Sequence, residues 1–252
     1  MKGPYPDILF HFTTLPGLKG ILKEGFRPSY AREKIVGSTT EKNFAVPMVS
    51  FCDLRLSELP FHMKKYGRFG IGLTKCWAKR NGLNPVAYVN KDSEFTHSLI
   101  AGFIAYANQI KSIPDWSTMV PASFDYLQLL NIERYIKNYE GDLVRGSKII
   151  HDYRFADERE WRHVVPLNTK GILPFLPTDF MPTKKEKDFH NYKIKLMTLK
   201  FDITDIKYLI VQSEQNVKPM QKYIQGLSLS NSANEQHLLS RILTATQIES
   251  DM

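Results

Sequence analysis

Two segments place side chains able to do chemistry on elements otherwise suited to packing. They are Ile8-Leu9-Phe10-His11-Phe12-Thr13 and Phe155-Ala156-Asp157-Glu158-Arg159-Glu160-Trp161-Arg162. Read as strands, they put His11 and Thr13 on one face and Glu158 and Glu160 on another, because strand side chains alternate. An imidazole and a hydroxyl so placed can hydrogen-bond a ribose hydroxyl or an amide. Equally, His11 is a satisfied core residue and Thr13 a helix cap. Two carboxylates at this spacing on a mostly buried strand repel, which raises one pKa. One of them, Glu160 first and Glu158 as its neighbour, can then stabilise positive charge on an oxocarbenium-like sugar, as carboxylates do at glycosidic bonds. The plainer alternative is a solvated edge neutralised by Arg154, Arg159 and Arg162. Ser50 ends a strand, where it hydrogen-bonds a ligand or caps the chain. Tyr66 serves as an aromatic wall for a nicotinamide or adenine ring, or as a core or hairpin residue.

The elements that must position these groups are signalled unevenly. Thr13 or Thr14 caps a first helix, with Pro16 in its first turn, Leu15, Leu18, Ile21 and Leu22 on one face, and Gly25 at its end. The polar stretch Ala31 to Ala45 predicts a loop able to cover a cleft. Val46–Cys52 reads as a buried strand, Ser57 as a cap with Pro60 in the turn, Tyr66–Leu73 as a turn and strand, and Pro85–Val89 as a strand. Thr74 caps a helix through Trp77 and Ala78. Leu99, Ile100, Phe103, Ile104 and Ala107 recur at helical spacing, and a second helical pattern runs through Tyr126, Leu127, Leu129 and Leu130. Strands are expected near Arg162–Leu167, Lys195–Phe201 and Ile206–Val211, a helix near Val217–Gln225, and a flexible connection from Gly226 to Glu235. No internal repeat or linker divides the chain. The expectation is one α+β domain over 1–252, with a helical insertion at about 94–140 and a C-terminal docking segment at about 236–252.

Composition narrows the classes. The 252 residues are 42% hydrophobic and 12% aromatic, enough for a packed core. No stretch approaches the roughly 20 apolar residues of a membrane span, and Met1 to Pro6 lacks the apolar core of a signal peptide. The expected compartment is the cytoplasm. Cys52 and Cys76 stand apart, outside any zinc spacing, and no HExxH pattern occurs, so no metal is expected. The net charge of +8 is partly local, with lysines from Lys184 to Lys200. Such a run is a solvated face or a contact for something anionic, a nucleic acid or a phosphorylated cofactor.

A resemblance gives these residues a context. Phe10-His11-Phe12-Thr13, Val46 to Leu54, Tyr66 to Leu73 and Asp157 to Arg162 resemble the AbiGi family of abortive-infection phage-resistance proteins, over most of the chain including Leu239 to Ile248. That family is named for an antitoxin role, which implies a toxin or antitoxin protein partner. The His-x-Thr opening followed by a capped helix also resembles ADP-ribosyltransferase folds of the His–Tyr–Glu branch. That second resemblance implies a mixed, split sheet binding NAD. His11 and Thr13 would hold the ribose, Ser50 would line the cleft, Tyr66 would pack on nicotinamide, and Glu160 or Glu158 would be catalytic. The position in the second strand that also suits the aromatic role holds Phe51. Two functions follow: an NAD-dependent ADP-ribosyltransferase or NAD-cleaving defence enzyme, and a non-catalytic antitoxin-type interaction protein with the same fold.

Overall fold

Strand β3 (Glu41–Cys52) is the spine around which the other elements assemble. Its apolar run leaves both faces to be covered, so Val49 and Phe51 enter one core while Val46, Met48 and Cys52 enter the cores on the other side. The computed structural model describes residues 6–111, 128–145, 148–167, 169–170, 172–229 and 231–251. β3 pairs antiparallel with β2 (Ser29–Val36) and β11 (Leu176–Pro177) along its first half, and with β10 (Glu160–Val164) along its second. It meets β1 (Ile8–Thr13) with Phe10 opposite Cys52, where the two strands diverge. Beyond β1 the sheet continues through β4 (Phe69–Thr74), β12 (Ile206–Val211) and a parallel edge strand, β13 (Ile242–Thr244), while β5 (Asn84–Pro85) closes the other edge beside β10. Two small separate sheets follow, β6 (Ala87–Val89) with β7 (Ile136–Asn138), and the hairpin of β8 (Glu140–Arg145) and β9 (Lys148–Arg154).

Helices cover the sheet where its faces are apolar. Helix α1 (Leu15–Glu24) is capped by the Thr14 hydroxyl, which accepts the Gly17 N–H, and ends at Gly25 with φ +87°, a conformation glycine adopts without a steric penalty. Its Leu18 and Leu22 join Trp77 of α3 (Lys75–Arg80) over Leu9 and Phe51. Helix α2 (Leu59–Tyr66) covers Phe10, Phe12 and Cys52 on the opposite face. Helix α4 (Glu94–Lys111) buries Ile100 and Phe103 against Phe44, Val46 and Met48. The C-terminal segment returns to the sheet as β13, with Leu238 and Ala245 fully buried on either side of it.

Several expectations need correcting. The loop expected over Ala31 to Ala45 is the β2–β3 hairpin: its polar residues fall on both faces, and Ile35, Phe44 and Ala45 are fully buried. Lys195–Phe201 forms no strand and contributes a single bridge, Leu199 to Phe26. The helical stretch ends early, because 136–138 is strand β7 and a second strand starts at Glu140; residues 128–133 are helical, whereas Tyr126 and Leu127 lie outside the described residues. Within the expected flexible connection, a helix capped by Asn231 already starts at Ser232.

Candidate functional site

Glu160 opens β10, but the residues before it are not a strand. Phe155–Glu158 form a 3-10 turn and Arg159 sits at φ 44°, a left-handed conformation that is costly for a side chain with a Cβ. The turn replaces the expected alternation and delivers both acids to one cation. Lys137 Nζ, on β7, lies 3.0 Å from Glu160 Oε2 and 3.8 Å from Glu158 Oε2. The left-handed Arg159 itself pairs with Glu58.

Every oxygen of the Glu160 carboxylate is engaged. Oε1 accepts from Ser50 Oγ at 2.6 Å and from Arg162 Nε at 2.8 Å, while Oε2 accepts from Arg162 at 3.2 Å and Lys137 at 3.0 Å. Its backbone N–H donates to the Tyr88 hydroxyl at 2.8 Å. Arg162 is fully buried, pairs also with Glu33 at 2.9 Å and donates to the Arg134 carbonyl at 2.8 Å. Burial alone would raise the Glu160 pKa, but the charges of Arg162 and Lys137 outweigh it and hold the carboxyl far below the usual range. The repulsion expected between the two acids therefore does not raise the Glu160 pKa, because Arg162 and Lys137 neutralise Glu160 and Lys137 also reaches Glu158. Glu158 instead accepts from the hydroxyls of Tyr66 and Tyr153, the latter at 2.8 Å.

His11 stands elsewhere. Phe10, Cys52 and Glu160 lie in register across three strands, so the side chain of the next residue, His11, turns to the opposite face of the sheet. There its ring packs 5.3 Å from Phe26 and 5.6 Å from Phe51, and Nδ1–H donates to the Ser50 carbonyl at 2.8 Å. Thr13 shares that face, away from Glu160. The cleft expected between the His11 and Ser50 strands is thus contradicted: the strands diverge, but His11 fills the gap by bonding to the Ser50 backbone while the Ser50 hydroxyl serves Glu160. The Tyr66 ring stacks on His62 at 4.3 Å and its hydroxyl serves Glu158, so its position differs from that of a wall beside His11.

Burial lowers the His11 pKa from its ordinary 6.5, against the weaker pull of its bond to Ser50, and burial also lowers that of His163. A histidine kept neutral in the fold but free to charge when unfolded makes the unfolded state bind more protons. Its stabilising contribution is present above about pH 6.5 and is lost as pH falls toward the folded value. Urea unfolding should therefore give lower stability at about pH 5.5 than at about pH 7.5, and His11→Gln should narrow that difference. An unchanged difference in the variant would remove His11 from this account.

Two cavities open beside the carboxylates. One of about 430 Å³ is lined by Leu54, Phe61, His62, Lys65, Tyr153 and Glu158, among others, with Phe61 64% exposed at its edge. A smaller one of about 280 Å³ lies over Val86, Tyr88 and Trp161, next to Asp53 and Glu160. His11 lines neither. The larger groove joins aromatic walls to both signs of charge, a composition suited to a side chain of another protein. Among the described residues, no three His, Cys, Asp or Glu side chains come together as a metal site, and no helix is long and apolar enough to cross a membrane.

Of the residues that build this cluster, Arg162 was visible as a neutralising charge, whereas Lys137 was hidden in a supposed helix and Glu33 in a supposed loop. Strand alternation within Ile136–Asn138 and Ser29–Val36 was the available signal, too short in the first and too polar in the second to read.

Comparison with known proteins places the chain in a defence context. A family model described as "abortive phage resistance protein AbiGi, antitoxin" matches residues 24–212, three quarters of the chain. A curated relative, the abortive phage resistance protein AbiGi of Lactococcus lactis subsp. cremoris, is 28% identical over 254 residues, covering 90% of this chain and 99% of the relative. No solved structure matches.

Proposed function

The chain belongs to the AbiGi family of phage-defence proteins, and on that premise we propose that it acts as the binding half of a toxin–antitoxin pair rather than as an NAD-consuming enzyme. The observation that carries this reading is the Glu160 carboxylate, saturated by Ser50, Arg162 and Lys137 and facing away from His11. A catalytic carboxylate of the transferase type must offer an oxygen to the substrate sugar. Here each oxygen already serves a buried cation, and withdrawing it would strip Arg162 of one of its two carboxylate partners and Lys137 of its nearer one. The family description as an antitoxin supports the same reading and implies the class of partner, a toxin.

We place the toxin contact at the groove beside Glu158. Phe61 is an exposed aromatic on a rigid helix, flanked by His62, Tyr153 and Arg159, and aromatic and arginine residues dominate interface energetics. Co-expression with the cognate toxin should yield a stable complex by size-exclusion chromatography with light scattering, and should relieve toxin-imposed growth arrest. Phe61→Asp should weaken that complex roughly tenfold or more while leaving the melting temperature unchanged, because the side chain is solvent-exposed. Equal affinity in the variant would move the contact elsewhere. No complex and no relief with wild type would reject the reading itself.

A further inference from the structure

The helix Lys184–Lys193 is built the wrong way round for a helix that only packs on its own domain. Thr183 and Glu186 form its capping box, so its start is well defined. It docks by a polar edge: the Asn191 side chain accepts the Tyr30 N–H at 2.8 Å, His190 meets the Tyr30 ring at 5.8 Å, and Ile194 just beyond the helix is fully buried. Its large apolar side chains turn outward instead. Phe189 is 58% exposed, Tyr192 65% and Leu196, just past the helix, 86%. Lys185, Phe189 and Tyr192 follow at spacings of four and three, so they form one stripe.

Charge is interleaved with these rings. Glu186 is held in the cap and Asp188 pairs with Lys184, leaving Lys185, Lys187, Lys193 and Lys195 without an ion pair among the described residues. Lys193 Nζ lies 4.5 Å from the Phe189 ring centre and Lys195 Nζ 3.6 Å from that of Tyr192. Ammonium groups and aromatic faces are therefore within one nucleotide's reach of each other. Lysine is depleted at the centres of protein interfaces, whereas exposed aromatics among lysines are the composition of a single-strand binding surface, where rings stack bases and cations follow the phosphates.

We propose that this outward stripe binds single-stranded nucleic acid, with Lys185, Lys193 and Lys195 on the phosphate backbone and Phe189 and Tyr192 stacking on bases. The site is separate from the groove assigned to the toxin and stands or falls independently of that assignment. The test is fluorescence anisotropy of the full chain with a labelled mixed-sequence oligonucleotide of about 20 nucleotides. Three phosphates neutralised should weaken binding roughly twentyfold between about 50 and about 200 mM salt. Phe189→Ala with Tyr192→Ala should weaken it roughly tenfold or more with the salt dependence retained, whereas Lys185→Gln, Lys193→Gln and Lys195→Gln together should flatten the salt dependence. Both rings are exposed, so unchanged melting curves are expected and serve as the folding control. No binding, equal affinity for duplex of the same sequence, or unaltered affinity in the aromatic variant would overturn the proposal. Competition by polyglutamate as effective as by unlabelled oligonucleotide would assign the stripe to an acidic protein instead.

Discussion

Arg162→Met should destabilise the fold by about 3–5 kcal/mol, the cost of removing one partner from a buried ion network. Arg162 is fully buried, its guanidinium bonds Glu160 through two nitrogens, and the same group reaches Glu33 and the Arg134 carbonyl. Methionine fills much of the volume but leaves two largely buried carboxylates facing each other, with Lys137 as the nearest cation for Glu160. A domain of this kind has a total stability of about 5–15 kcal/mol, so the loss removes a large share of it. Urea unfolding followed by circular dichroism measures it directly. Adding Glu33→Gln and Glu160→Gln to Arg162→Met should recover a substantial part, because the penalty arises from uncompensated charge rather than from lost volume. A single variant within about 1 kcal/mol of wild type would contradict the view that this network holds β2, β7 and β10 together.

Glu160→Gln should cost about 2–3 kcal/mol at neutral pH, since it keeps the shape and removes the charge from a site with two cations. The same substitution should alter the acid limb of the stability curve. The Glu160 pKa is depressed in the fold below its ordinary 4.5. Its stabilisation is therefore fully present above about pH 4.5 and declines as pH falls toward the folded value, where the protonated carboxyl no longer attracts Arg162 and Lys137. The gap between wild type and Glu160→Gln should hold from neutral pH to about pH 4.5 and shrink as unfolding is measured below that, down to about pH 3. A gap that stays constant below about pH 4.5 would show that Glu160 gains nothing from its charge.

These expectations also explain what could be read from the chain and what could not. The capped helix after Thr14, the strand through Val46–Cys52, the strand Ile206–Val211 and the helix Val217–Gln225 were legible because local periodicity and capping agree with the final packing. The β2–β3 hairpin was not, since its alternation is obscured by charges such as Glu33 and Lys42 that are paired only across long sequence distances, with Arg162 and Glu133. Glu158, Glu160, Tyr66 and Ser50 stand out in the sequence, and in the structure they converge with Lys137 on one cluster. His11 was singled out too, but a strand pattern alone cannot say which face of a diverging sheet a partner strand presents. The register of its neighbour Phe10 with Cys52, set by tertiary structure, places His11 on the other side. The left-handed Arg159 was invisible for a similar reason, because nothing in Asp157-Glu158-Arg159-Glu160 announces a residue held at positive φ by its neighbours.

The central claim is that Glu160 is a structural charge and that the chain acts by binding. Its most direct test is the release of nicotinamide from NAD by the purified protein, alone and with infected-cell extract, compared between wild type and Glu160→Gln at a temperature where both are folded. The account predicts no release above the buffer or extract background and no difference between the two proteins. Sustained release by wild type that Glu160→Gln reduces on the order of 100-fold, the loss typical of removing an aimed catalytic charge, would contradict it.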